Sequence, residues 1–213
     1  MIALIIQARM SSTRLPEKVL KTLLGKPMLQ QQIERVYLAK HFDRVVVSTS
    51  LDPSDDPIEA FCQNISVCCF RGSLEDVLDR YYQCACRYKA AHIIRITADC
   101  PLIDPEVIDR VIQTHLIQQN DYTSNVGIET FPDGLDIEIM SFKTLETAWK
   151  NAQKPSEREH VTVYIRNHPE MFKIGNIESK INRAHLRWTV DYEEDFLLVE
   201  TIYKHFLSSG NTK

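Results

Sequence analysis

The chain has 213 residues, 44% hydrophobic and 25% charged, with a formal net charge of −4. That length suits one domain with ample core, and the slight acidity argues against a nucleic-acid partner or a polybasic membrane arm, so any affinity for phosphate must be local. No apolar run approaches the roughly 18 residues of a membrane span and Met1-Ile-Ala lacks a basic leader region, so a cytoplasmic protein without membrane insertion is expected.

Met1 to Ile6 is a nearly unbroken apolar run, the pattern of a strand buried on both faces. It opens at Gln7 into Gln-Ala-Arg-Met-Ser-Ser-Thr-Arg-Leu-Pro-Glu-Lys, which delivers Arg9, Arg14 and Lys18 together with the hydroxyls of Ser11, Ser12 and Thr13. Forked guanidinium bonds, a point charge and loop N–H groups are the chemistry of a polyphosphate cradle, although a solvated basic loop has the same composition. GxxxxGK[ST] and GxGxxG are both absent.

After a turn at Leu24-Gly25-Lys26-Pro27, the spacing predicts a helix over 28–40 and a buried strand over 43–48. A breaker-rich link at 52–57 leads to a helix over 58–64 and a strand over 66–70. Ser73-x-x-Asp76 reads as the start of a helix to 89, His92 to Thr97 as a fourth strand, and Asp104-Pro105 as the cap and first turn of a helix to 119. Strand and helix thus alternate four times, which predicts βαβ units: an α/β fold with a mostly parallel sheet between two helical layers.

The rhythm changes after Asp121. A short strand at 122–125, a loop at 127–133 and a strand at 135–140 with one wet face are predicted, followed by helices over 142–153 and 156–167, the second with a Ser156-x-x-Glu159 capping box. Strands at 172–177 and 185–190 and a closing helix over 193–206 complete one domain. Within it, residues 123–181 are expected to form an irregular β arm, available for substrate contact or for pairing two copies as a homodimer. The six cysteines, all between Cys62 and Cys100, form no C-x-x-C and read as reduced, packed thiols. His115, His168 and His205 read as helix-surface residues.

Two aspartates end predicted strands, at the rim where open α/β sheets bind ligands. Asp99 lies in Arg95-Ile-Thr-Ala-Asp-Cys-Pro-Leu-Ile, where a turn-forming role is the plainer alternative, and Asp191 ends Leu186-Arg-Trp-Thr-Val-Asp, where N-capping the last helix is. Asp133, Asp136 and Glu138 suit a ligand's hydroxyls or simply the wet face of a strand. Arg158 and His160 suit a ligand's carboxylate or phosphate, or a capping turn.

Ala8-Arg9, Ser12-Thr13-Arg14-Leu15-Pro16 and Lys18 resemble the signature loop of nucleotidyltransferases that make CMP-activated acidic sugars. These are the cytidylyltransferases for 3-deoxy-manno-octulosonate and acylneuraminate and, most closely, the spore coat polysaccharide SpsF group. Members often carry Gly where Ser11 and Glu17 stand, and Glu17 sets a carboxylate beside the cradle. The resemblance spans 6–198 and implies the three-layer fold of nucleotide-diphospho-sugar transferases. It implies CTP and a sugar as substrates, CMP transfer with release of pyrophosphate, and Mg²⁺ on Asp99 and Asp191. By the same resemblance Arg9, Ser12, Arg14 and Lys18 hold the triphosphate, and Arg9, Lys18 and Asp99 are catalytic. Thr97 and Arg71 lie near the base, and 131–138 and 156–162 contribute acceptor contacts through Asp133, Asp136, Glu138, Arg158 and His160. The alternatives are a glycosyltransferase of related fold, which would normally carry Asp-x-Asp, and a nucleotide-binding subunit without catalysis, for which Glu17 is the hint.

Overall fold

Alternate residues of a strand point to opposite faces, and in the first strand both sets are apolar, so the sheet must be covered twice. The computed structural model, which describes residues 1–208, has that arrangement. Among the described residues nine strands and eight α-helices follow in the order β1 (Ile2–Gln7), β2 (Thr22–Leu23), β3 (Lys26–Pro27), α1 (Met28–Val36), β4 (Arg44–Ser50), α2 (Asp56–Asn64), β5 (Cys68–Gly72), α3 (Val77–Tyr88), β6 (His92–Thr97), α4 (Pro105–Gln118), β7 (Tyr122–Ser124), β8 (Glu138–Ser141), α5 (Phe142–Asn151), α6 (Pro155–Glu159), α7 (Val163–Asn167), β9 (Ile174–Asn176) and α8 (Glu193–Ser208).

Seven strands form one sheet in the order β5-β4-β1-β6-β8-β7-β9, while β2 and β3 make a small separate hairpin. β1 pairs in parallel with β4 and β6. Leu4, Ile6, Val45, Val47, Ile94 and Ile96 face the layer that contains Leu29 and Ile33 of α1, Ile58 of α2 and Ile108 of α4. Ala3, Ile5, Val46 and Ile93 face the other, with Leu78 and Tyr81 of α3, Leu145 of α5 and Ile165 of α7. Truncating any of the leucines or isoleucines among them to alanine would cost about 2–5 kcal/mol. Among the described residues no helix is long and apolar enough to cross a membrane.

The helix starts follow their caps. Asp104 accepts from the N–H groups of Glu106 (2.8 Å) and Val107 (3.4 Å). α3 begins later than predicted, because Asp76 is its cap and accepts from Asp79 N–H, while Ser73 only turns the preceding loop by accepting from Asp76 N–H.

The second half departs from the sequence reading in four places. Residues 123–181 make no separate arm, since β8 inserts antiparallel between β6 and β7, and β9 pairs with β7. The wet face predicted for 135–140 is half wrong: Glu138 is buried, its charge met by Arg95 and by the Tyr122 hydroxyl. The helix predicted over 156–167 breaks at His160 (φ −104°, ψ 88°), which turns Val161 into the core. The carboxylate that caps its first segment is Glu157, which accepts from the N–H groups of Gln153 and Lys154, so the Ser156–Glu159 box is not formed. Residues 185–190 form no ladder; a single bridge joins Arg187 to Asp133. His115, read as a surface residue, is 1% exposed and hydrogen-bonds to His92 and Thr123.

Candidate active site

Parallel strands end together, and β1 and β6 end in register, Gln7 opposite Thr97. The chain leaves both on the same side of the sheet, and a cavity of about 400 Å³ opens there. Its near wall is the loop that follows β1. The loop keeps its shape through Asp55, a fully buried carboxylate that accepts from Met10 N–H (2.7 Å) and, through its other oxygen, from the Ser50 hydroxyl and N–H. Met10 O in turn accepts from Ser12 N–H and Glu17 N–H, closing the loop on itself.

Arg9, Ser12, Arg14 and Lys18 all line the cavity, as do Thr97, Asp99, His160 and Asp191. Ser12 Oγ accepts from Leu15 N–H, which leaves its own proton for a ligand. Arg9 is exposed and, among the described residues, makes no hydrogen bond or ion pair, so its fork is open to an anion. Arg14 pairs with Asp191 at 2.7 Å and lies over the Tyr192 ring. Lys18 behaves differently from the free phosphate ligand expected of it. It is 8% exposed, and its ammonium donates to Asp99 Oδ2 (3.2 Å), Asp191 Oδ1 (3.0 Å) and the Val190 carbonyl (2.6 Å).

Asp191 is not the cap of α8. Its own backbone N–H and that of Tyr192 donate instead to Oδ2 of Asp195, in the first turn of that helix, both at 2.9 Å. Freed from capping, the Asp191 side chain turns toward Asp99. Burial pushes its carboxyl up, but Arg187, Lys18 and Arg14 outweigh that and hold it below the usual carboxylate range. The segment that carries Asp191 is fastened to two others. Val190 N–H donates to Asp99 O (2.8 Å), and Trp188 N–H donates to Asp133 O (2.7 Å). Gly134, at φ +104°, passes so close that a Cβ there would stand 2.5 Å from Thr189 N and 2.7 Å from the Trp188 carbonyl carbon.

Asp99 and Asp191 thus converge on one point, and no third acid, His or Cys joins them into a metal-holding cluster among the described residues. Two carboxylates beside an open guanidinium and loop hydroxyls suit Mg²⁺, which keeps waters and phosphate oxygens in its shell, and do not suit a structural all-protein metal site.

Five expected site residues stand outside the cavity. Arg71 clamps the segment between β4 and α2, donating to Ser50 O and Asp52 O and pairing with Glu59 and Asp56. Arg158 is held by Asp76 (2.9 and 2.5 Å) and Trp149 O (2.7 Å). Glu138 is buried against Arg95. Asp133 pairs with Arg187 at 2.9 Å. Asp136 touches solvent, yet the protein packed around it, with Asp133, Glu138 and Asp99 adding repulsion, pushes its carboxyl up to about 7. Glu17 is exposed and does not line the cavity; it stands at φ +59°, a left-handed position that favours glycine.

Sequence reasoning missed Gln7, Arg95 and Arg187. Arg95 lines the cavity floor and Arg187 grips Asp191 Oδ2 at 2.7 Å. A charge inside an otherwise apolar strand was the available signal for Arg95; Arg187 had none, because its partners lie in a loop and a helix turn.

A family model described as cytidylyltransferase matches residues 3–206. The spore coat polysaccharide biosynthesis protein SpsF of Bacillus subtilis is 38% identical over 215 residues, covering 95% of this chain and 86% of that one. An uncharacterized protein of Methanocaldococcus jannaschii is 40% identical over 204 residues, covering 95% of this chain and 83% of the other. Among solved structures, a cytidylyltransferase from Leptospira borgpetersenii serovar Hardjo-bovis superposes with a TM-score of 0.92 at 33% identity, over 96% of this chain and 87% of that one.

Proposed function

Since the chain belongs to the cytidylyltransferase family, we propose that it transfers CMP from CTP to a specialised sugar, an acidic one by expectation, and releases pyrophosphate in a Mg²⁺-dependent reaction. The name of the Bacillus relative supports a product used in surface polysaccharide or glycoconjugate synthesis. The observation that carries the reading is the convergence of an open Arg9, the Ser12 hydroxyl and the Lys18–Asp99–Asp191 cluster in one cavity at the ends of β1 and β6.

Nucleotidyl transfer asks little covalent chemistry of a protein. A sugar oxygen attacks the α-phosphorus in line and pyrophosphate departs, so positioning and charge neutralisation supply the rate. Arg9 receives the triphosphate without first giving up a partner. Arg14 and Ser12 flank it from the same loop, and Thr97 and Ala98 form the floor. Asp99 and Asp191 would hold Mg²⁺, which when bound supplies charge neutralisation on phosphate oxygens. Arg187 and Asp195 keep Asp191 facing inward rather than capping α8.

Pyrophosphate release measured for four nucleoside triphosphates against a panel of acidic and neutral sugars tests this. Release with CTP and one sugar class, nearly abolished in Asp99→Asn and in Asp191→Asn without loss of folding, is expected. Full activity in Asp191→Asn would remove that residue from the site.

A further inference from the structure

Lys18 occupies the point on which the metal-holding aspartates converge. Its three N–H bonds are all spent, on one oxygen of Asp99, one of Asp191 and the Val190 carbonyl, and 8% of the residue is exposed. The donors around the ammonium are hard oxygens, two of them anionic, which is also the shell a hard divalent cation selects. Deprived of a cation, those carboxylates would face each other at the bottom of a cavity, a costly arrangement.

We propose that the Lys18 ammonium is a resident counter-ion in the divalent cation's seat, and that metal enters as triphosphate draws Lys18 into the phosphate cradle. The proposal rests on the function given above. An ammonium and a divalent cation cannot share the same three oxygens, because they repel and compete for the same lone pairs. Lys18 therefore has two states, in among the carboxylates or out toward the loop hydroxyls and Arg9. Triphosphate favours the outward state by offering Lys18 new anionic acceptors, and metal favours it by taking the old ones. Two ligands that stabilise one state help each other, and reciprocally. The free protein is thus held with its carboxylates neutralised, so that without nucleotide it takes up divalent ions only at millimolar concentration and with triphosphate far more readily.

Mn²⁺ binding to the nucleotide-free protein, followed by electron paramagnetic resonance, is the test. Lys18→Met, which keeps the length and removes the charge, should bind Mn²⁺ alone at least tenfold more tightly than the parent chain, and adding Asp99→Asn should abolish the gain. Equal affinity in the two chains, or no Mn²⁺ binding in either, overturns the proposal. Should Lys18→Met fail to fold, reductive methylation of the unaltered protein gives a second reading. Lys18 should react slowly in metal-free protein and at least threefold faster in millimolar Mg²⁺ than in sodium chloride of equal ionic strength; an unchanged rate overturns it. Neither readout involves turnover, so a lack of pyrophosphate release would count against the function alone.

Discussion

The backbone N–H of Val190 donates to the carbonyl oxygen of Asp99 across 2.8 Å, joining two segments far apart in the chain just where each presents a carboxylate to the cavity. That bond makes a two-aspartate site out of a strand end and an irregular loop, and the Thr189 hydroxyl adds a longer one (3.4 Å) to the same carbonyl.

The two basic residues of the loop should separate in their effects. Arg9 has no partner among the described residues, so Arg9→Ala should leave the melting temperature unchanged and weaken CTP binding by about 1.5–3 kcal/mol, the worth of a charge-assisted contact. Lys18→Ala removes the cation between Asp99 and Asp191 and should also lower stability, by about 2–3 kcal/mol. Calorimetry of free and CTP-bound variants checks both.

Arg158→Ala should destabilise the fold and spare the acceptor. Its guanidinium joins α6 to the Asp76 cap of α3 and to the Trp149 carbonyl, and it does not line the cavity. A loss of about 1–3 kcal/mol in urea unfolding, with the Michaelis constant for the sugar unchanged, is expected. A sugar-specific rise in that constant would restore Arg158 to the acceptor site.

Glu17→Gly should stabilise the protein. A side chain at φ +59° strains the backbone by about 1–2 kcal/mol, partly offset by the greater freedom glycine gives the unfolded chain, so a net gain of about 0.5–1 kcal/mol follows. CTP affinity should not change, because Glu17 does not line the cavity. A tighter nucleotide complex would show that its carboxylate reaches the cradle after all.

His115 gives the fold an acid-sensitive spot. Burial, and then the neighbouring His92, push its imidazole down to about 4, from an unfolded value near 6.5. The depressed group is neutral in the folded chain at pH 7; stability is therefore complete above about 6.5 and drains away as pH falls toward 4, by roughly 3 kcal/mol in all. Denaturant midpoints measured from pH 7.5 to 4.5 should show that decline, and His115→Gln should flatten it.

The first half of the fold was legible because each element carried its own signal: β6 begins and ends where its apolar pattern does, and α4 starts at the Asp104-Pro105 cap. The second half was less so. The alternation of Leu135 to Met140 is the same whether its polar face meets water or a buried arginine, and only the tertiary partner Arg95 decides. The loop and Asp99 were visible as strand ends carrying charge, whereas Asp191 was reached through a strand over 185–190 that the chain does not form. What sequence could not give was pairing: Arg71 and Arg158 look like ligand-binding arginines until Glu59, Asp56 and Asp76 are seen to hold them.

Gly134 carries a consequence for how this chain can vary. Every missense change of a glycine codon adds a Cβ, and here that atom would drive into the backbone at Trp188 and Thr189, pushing aside the segment that delivers Asp191. In a saturation library selected for activity, Gly134 should be purged as thoroughly as Asp191 itself, although it holds no ligand and bears no functional group. Lineages descending from this sequence would keep that codon silent, while Glu17, which does not line the cavity, could give way to glycine.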